Sequence, residues 1–233
     1  MNRLRALSAG TRAETGRFSG VVHSVFARAC NVSLDDGRLL ALIAAEYGNA
    51  PHAVRVQVPG AFAFDRAVRA GERAGCRAGV LRIGTGAIEV RLEDVPRWRA
   101  RLDDASADLA RAEVRSAWRT ARRCLHRHNA TGWADPADAI DHRVTALYRA
   151  AHRLDHPGAV TAIGHLVGVG AGLTPAGDDI LVGFLAGLHA GRGASPARER
   201  FVNRVNASVR DAARFTNRIS AEYLLQAADG AWS

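Results

Sequence analysis

Lysine is missing from this chain. All 32 residues in its lysine-plus-arginine count are arginine, set against 23 acidic residues for a formal net charge of +9. The absence excludes a Schiff-base lysine, a lysine general base and the phosphate-binding lysine of a P-loop. Any cationic work falls to arginine, whose planar fork suits carboxylates and phosphates. Aromatics are sparse at 6%, and few of them interleave with the arginines, which are scattered rather than gathered in one tract. Alanine and glycine are abundant as well, so the arginine content reads as coding bias, and nucleic-acid binding ranks last among the readings. Cysteine is limited to Cys30, Cys76 and Cys124, an odd number without metal-ligand spacing, which suits a reducing compartment. Runs long enough to span a membrane are missing too. The apolar stretch 180–188 is short and follows directly on Asp178 and Asp179. Residues 1–18 carry charge without the apolar segment of a signal peptide. The chain therefore reads as soluble and cytoplasmic, without a membrane partner.

What is present divides into two textures over 233 residues, enough to bury a substantial core. From Phe18 to about Leu92 the pattern is strand-like. GVVHSVF alternates, with His23 as a candidate core histidine. RLLALIA is a compact apolar run, and AVRVQV points Val54, Val56 and Val58 to one side. GVLRIG and AIEVRL form a hairpin across Gly84-Thr85-Gly86, and Asp35-Asp36-Gly37 marks another turn. Short strands separated by turns predict a small barrel or sandwich.

After Pro96 the spacing turns helical. Leu102, Leu109, Val114, Trp118 and Leu125 mark a first helix over 99–127. A second runs from Asp135, its N-cap, through Pro136 to Leu154, with Ile140, Val144, Leu147 and Tyr148 on one stripe. A third starts near Pro175. A last long segment after Pro196 sets Phe201, Val205, Val209, Ala212, Phe215, Ile219 and Tyr223 at helical spacing. The expected fold is α+β: a strand-rich domain over 1–95, then a helical domain over 96–233 carrying a glycine-rich loop.

Chemistry concentrates in 164–189, GHLVGVGAGLTPAGDDILVGFLAGLH. Glycines at 164, 168, 170, 172 and 177 free the backbone for a tight turn and for close approach of a ligand. Amide N–H groups in such a turn converge into an anion cradle, helped by the positive end of the following helix. Thr174 and Pro175 read as that helix's N-cap and first residue. The ending lacks the GK[ST] of a Walker motif, and the spacing is not the dinucleotide fingerprint. Asp178 and Asp179 then fit either plain helix initiation or the ligand, directly or through Mg²⁺, which is bound through few protein groups. Two carboxylates beside an anion require a cation or arginine between them. Gly183 and Gly187, four apart, suit close helix packing. His165 stands just before the glycines. His126 and His128 diverge on a helix and read as surface. Thr216 and Ser220 share a helical face near the C-terminus, where small hydroxyls either line an anion pocket or bond back to the preceding turn.

These residues carry a family resemblance. GVGAGLTPAGDDILVGFLAG resembles the GxGxGLTPSGDDFLxGxLxA signature of the AllH-like family. FSGVVHSVFARACNVSLDDGRLLALI is similar to that family's opening region, and TNRISAEYLLQAADG to a later segment with spaced Thr, Ser, Leu and Gly. Ala176 stands where the family has serine, which argues against a catalytic hydroxyl at this position. Members also extend beyond the point where Ser233 ends this chain, into a second glycine-rich turn, so a short member or a missing tail is expected.

The resemblance implies a subunit of oxamate carbamoyltransferase, which moves a carbamoyl group between oxalurate and phosphate in purine and allantoin nitrogen catabolism. The partners so implied are a small anion (phosphate, carbamoyl phosphate or a small carboxylate) and other protein subunits. Joined to the bottom-up reading, this makes Asp178 and Asp179 the candidate catalytic pair and candidate Mg²⁺ ligands. Gly168, Gly170, Gly172, Leu173, Thr174, Gly177, His165, Thr216, Arg218 and Ser220 become the candidate ligand-binding set. The alternative is a non-catalytic assembly or ligand-binding subunit of a multi-chain enzyme.

Overall fold

The computed structural model describes residues 1–100, 111–129, 137–191, 193 and 195–232. The chain divides into two compact units, residues 1–100 with 231 and 232, and residues 101–230. In the first, strands β1 (Asn2–Gly10), β2 (Phe18–Val25), β3 (Ala29–Leu34), β4 (Leu39–Ala44) and β5 (Ala53–Gln57) precede a short helix α1 (Phe64–Ala67). Strands β6 (Arg73–Arg77), β7 (Val80–Ile83), β8 (Ile88–Arg91) and the two-residue β9 (Arg97–Trp98) follow it. Hydrogen bonding runs in the order β5-β4-β3-β2-β6-β7-β8-β1, and β1 pairs back onto β5. The sheet is thus a closed barrel of eight strands, to which β9 adds at Ala9 and Gly10.

Local chemistry explains much of this. The turn at Asp35-Asp36-Gly37 joins β3 to β4 antiparallel with Ser33 opposite Leu39, and Gly37 takes φ +89°. Across Gly84-Thr85-Gly86, β7 and β8 pair with Ile83 opposite Ile88. Val54 and Val56 are fully buried, with Leu40, Leu42, Leu81, Ile83, Ile88 and Val90 beside them in the core. Fully burying each such side chain contributes about 1.5–3 kcal/mol. Burial also pushes the Cys30 thiol up to about 12 and raises that of Cys76, so both are inert thiols at neutral pH.

Three features of the barrel differ from the sequence reading. β1, which closes it, carries one deeply buried side chain at Leu4 before the bulge between Ala6 and Ser8, and its neighbour β8 is parallel. β6 buries small residues, Ala74 and Cys76, and so lacks a strand's usual apolar signal. His23 is not a core residue. Strand β2 turns Gly20 and Val22 inward, which leaves His23 exposed and hydrogen-bonded to Ser24 Oγ at 3.1 Å.

The second unit contains α2 (Ala112–Asn129), α3 (Ala137–Arg153), α4 (His156–Leu166), α5 (Ala176–Gly191) and α6 (Pro196–Ala212). A 3-10 turn (Ala213–Phe215) and α7 (Arg218–Ala228) complete it. Leu102, Leu109, Asp135 and Pro136 lie outside the described residues, as do the side chains of Leu125, His126, His128 and Ile140. Asp155 caps α4 by accepting from the Gly158 amide, and Ser195 caps α6 ahead of Pro196. Packing is densest between α3 and α4, with further contacts of α4 on α6 and of α5 on α7. Among the described residues, no helix is long and apolar enough to cross a membrane.

Four expectations change here. Gly164 and His165 belong to α4, a short helix hidden by its own glycines, rather than to a loop. The last apolar series is two helices: Asn217 accepts from the amides of Ile219 and Ser220 and starts α7 afresh. Phe215, at the break, is 69% exposed. A Cβ on Gly183 or Gly187 would meet nothing within 4 Å, so close packing among the described residues does not explain either glycine.

Candidate functional site

The connection from α4 to α5, residues 167–175, is shaped by its glycines. Gly168, Gly170 and Gly172 take φ of +73°, +120° and +96°, a region that other residues rarely adopt. At Gly170 a Cβ would also stand 2.7 Å from the Ala176 nitrogen. Gly177 is needed for contact: its Cβ would fall 2.0 Å from the Leu166 carbonyl oxygen, while its amide donates to Val169 at 2.8 Å. α5 therefore begins directly against the end of α4.

Asp178 holds this turn from below. Its side chain sits in the first turn of α5 with 1% exposure. Oδ1 accepts from the Gly168 amide at 2.8 Å. Oδ2 accepts from the Thr216 hydroxyl at 2.5 Å and the Ser220 hydroxyl at 2.6 Å. Thr216 lies between the 3-10 turn and α7, and Ser220 in the first turn of α7. One buried carboxylate thus joins the start of the connection to the first turns of two helices, both of which present positive dipole ends to it. Charge-assisted hydrogen bonds of this kind contribute about 1.5–3 kcal/mol. The anionic group that Thr216 and Ser220 hold is the chain's own.

Above this anchor the surface is open. Gly168, Gly170, Gly172, Leu173 and Thr174 are exposed. Among the described residues, the amides of Gly170, Ala171, Gly172 and Leu173 have no hydrogen-bond acceptor. Asp179, next to Asp178 but turned outward, is exposed, with the Thr174 side chain close by. Partial desolvation raises its pKa above the ordinary carboxylate value; Thr174 opposes this, and the charge of Asp178 adds to it. Tyr223 on α7 lies close enough to sense that carboxylate: burial first, and then the Asp179 charge, push its phenol upward, so it stays neutral. Arg218, the exposed first residue of α7, follows two positions after Thr216. His165 is exposed on the last turn of α4, where its carbonyl, rather than its ring, accepts from Arg143 at 3.0 Å.

The two aspartates differ as cation ligands. A metal on Asp178 would have to displace three donors from a buried carboxylate, which leaves Asp179 as the available oxygen ligand. Among the described residues, no group of three or more His, Cys, Asp or Glu side chains is placed to hold a metal. The donor set does not make a resident metal site; Mg²⁺ bound by one carboxylate would have to share its coordination with a phosphate. Asn217 was missed by sequence reasoning. An asparagine just ahead of ISAEYLL is the N-terminal signal that could have found it.

A closed barrel followed by a helical unit with a carboxylate-anchored glycine turn defines a two-part protein, and the two parts match two family models. Residues 4–97 match the AllH family N-terminal domain, and residues 166–233 match a family described as oxamate carbamoyltransferase subunit AllH. The chain belongs to the AllH family. No curated protein and no solved structure matches it.

Proposed function

We propose that this chain is the anion-binding subunit of an oxamate carbamoyltransferase-type enzyme, with residues 168–174 as the cradle. One observation carries the reading. The Asp178 carboxylate satisfies Gly168, Thr216 and Ser220 internally, while the amides of Gly170, Ala171, Gly172 and Leu173 point to no acceptor among the described residues. A turn built this way spends its own anion on architecture and leaves its outer donors for another.

In the proposed chemistry, an oxygen of phosphate attacks the carbamoyl carbon of oxalurate. The bond from that carbon to the oxamate nitrogen breaks, and the nitrogen gains a proton. The Gly170–Leu173 amides hold the phosphate or carboxylate oxygens, and Arg218 pairs with the anion. Asp179, beside Thr174, accepts from the amide N–H of the carbamoyl or oxamate group. Developing oxyanion charge is stabilised by the same preorganised amides. Asp178 is a positioning residue, and Gly177 permits the approach of α4 to α5. Protein partners follow from the subunit description.

Thermal shift with phosphate, carbamoyl phosphate, oxamate and oxalurate, each with and without Mg²⁺, tests this. A ligand at a hundred times its Kd stabilises by about 2.7 kcal/mol. We expect a saturable rise with one or more of these anions, and loss of the carbamoyl phosphate, oxamate and oxalurate responses in Asp179→Ala. No rise from any of them would overturn the anion site and favour a non-catalytic assembly subunit.

A further inference from the structure

Among the described residues, helix α2 is the least covered element of the second unit. Of its described side chains only Val114 is even half-buried. Its sequence is not that of a uniformly solvated helix. At about 100° per residue, Val114, Ala117, Trp118 and Ala121 fall within one narrow arc. Arg115, Arg119 and Arg123 form a second stripe beside it at four-residue spacing. Trp118 is 65% exposed, and Tyr148 on α3 is 68% exposed. Between α2, Tyr148 and the C-terminal half of α5 lies a cleft of about 900 Å³ with Gly187 in its lining. Glycine is a poor helix former, yet no neighbour among the described residues accounts for Gly183 or Gly187.

We infer that this cleft docks an acidic amphipathic helix from another protein subunit. The occupant's apolar stripe lies on Val114 and Trp118, its carboxylates face Arg115 and Arg119, and its backbone approaches α5 over Gly187. Helix-in-groove recognition needs these parts: an apolar trough, spaced anchors and flanking charge. A second copy of this chain meeting α2 to α2 would oppose arginine with arginine, since a two-fold contact uses the same patch twice. An anionic lipid surface would favour a flat helix rather than a recess walled by Tyr148 and α5. The inference rests on this chain being one subunit of a multi-chain enzyme, and it is independent of the anion cradle.

The test places a photo-crosslinking benzophenone side chain at position 118 of the full chain, co-expressed with the other subunits of the carbamoyltransferase. We expect one cross-linked peptide, from a partner subunit, with acidic residues at three- or four-residue spacing. Arg115→Glu with Arg119→Glu, and separately Gly187→Leu, should each lower the yield at least about tenfold. Gly187→Leu adds its side chain into open space, so circular dichroism should be unchanged. A peptide from this same chain, binding to phosphatidylglycerol vesicles that requires Trp118, or a yield indifferent to both variants would overturn the docking site. An intact anion response with no cross-link would sink this inference alone. A cross-link without any anion response would support it and sink the cradle.

Discussion

The barrel and the helical unit bury different things. Among the described residues, the barrel encloses an almost wholly apolar interior, with Asn31 and His52 its buried polar side chains. The helical unit buries Asp178, Asn206, Ser220 and Gln226 in a smaller apolar setting. An apolar interior stabilises whatever its occupants are, provided that volume is kept. A buried carboxylate is tolerated only when its donors are in place, so it also specifies where those donors stand. The lesson is a division of labour: the barrel holds its shape by area, and the helical unit fixes one turn by three directed bonds.

Breaking each kind of interior should look different. Leu42→Ala removes a fully buried side chain of β4 and should cost the barrel about 3 kcal/mol. Denaturant unfolding should show that loss, while anion-induced stabilisation of the folded protein is unchanged. If the anion response falls with it, the two units do not work as separately as proposed. Asp178→Ala leaves the Gly168 amide and the Thr216 and Ser220 hydroxyls without their acceptor. We expect about 2–3 kcal/mol of destabilisation together with loss of anion binding, measured by calorimetry. Asp178→Asn, which keeps one acceptor oxygen, should recover part of both. Full anion binding by Asp178→Ala would show that the carboxylate does not position the turn.

The smallest effect concerns Asp179. Its pKa is raised in the folded protein, so folding favours the protonated carboxyl. The stability it contributes is complete below about pH 4, the ordinary carboxylate range, and is lost as pH rises through the raised value. Asp179→Asn should therefore melt slightly higher than the parent near about pH 8 and converge on it at about pH 3. A difference that is constant across this range would mean that Asp179 is not desolvated.

Legibility differed between the units for physical reasons. The β7–β8 hairpin could be read because its alternation and its glycine turn are adjacent in sequence. β1 could not, because it closes the barrel through a parallel neighbour and a bulge and brings little apolar signal of its own. In the helical unit, the glycines before α5 and the aspartates in its first turn stood out, as did Thr216 and Ser220. The break at Asn217 was masked by an apolar series that runs on in phase from α6 to α7. α4 was hidden because Pro157, Gly158 and Gly164 resemble loop composition, although Asp155 caps it as a helix.

By itself, the sequence determined what depends on neighbours along the chain: turn glycines, strands before helices, and the exclusion of lysine chemistry. Tertiary structure decided that β1 returns to β5 to make a barrel rather than a sandwich. It also decided that Asp178 turns inward while Asp179 turns outward. Adjacent residues on a helix point about 100° apart, and no local rule says which faces the core. Thr216 and Ser220, 38 and 42 residues away, supply the donors that settle it.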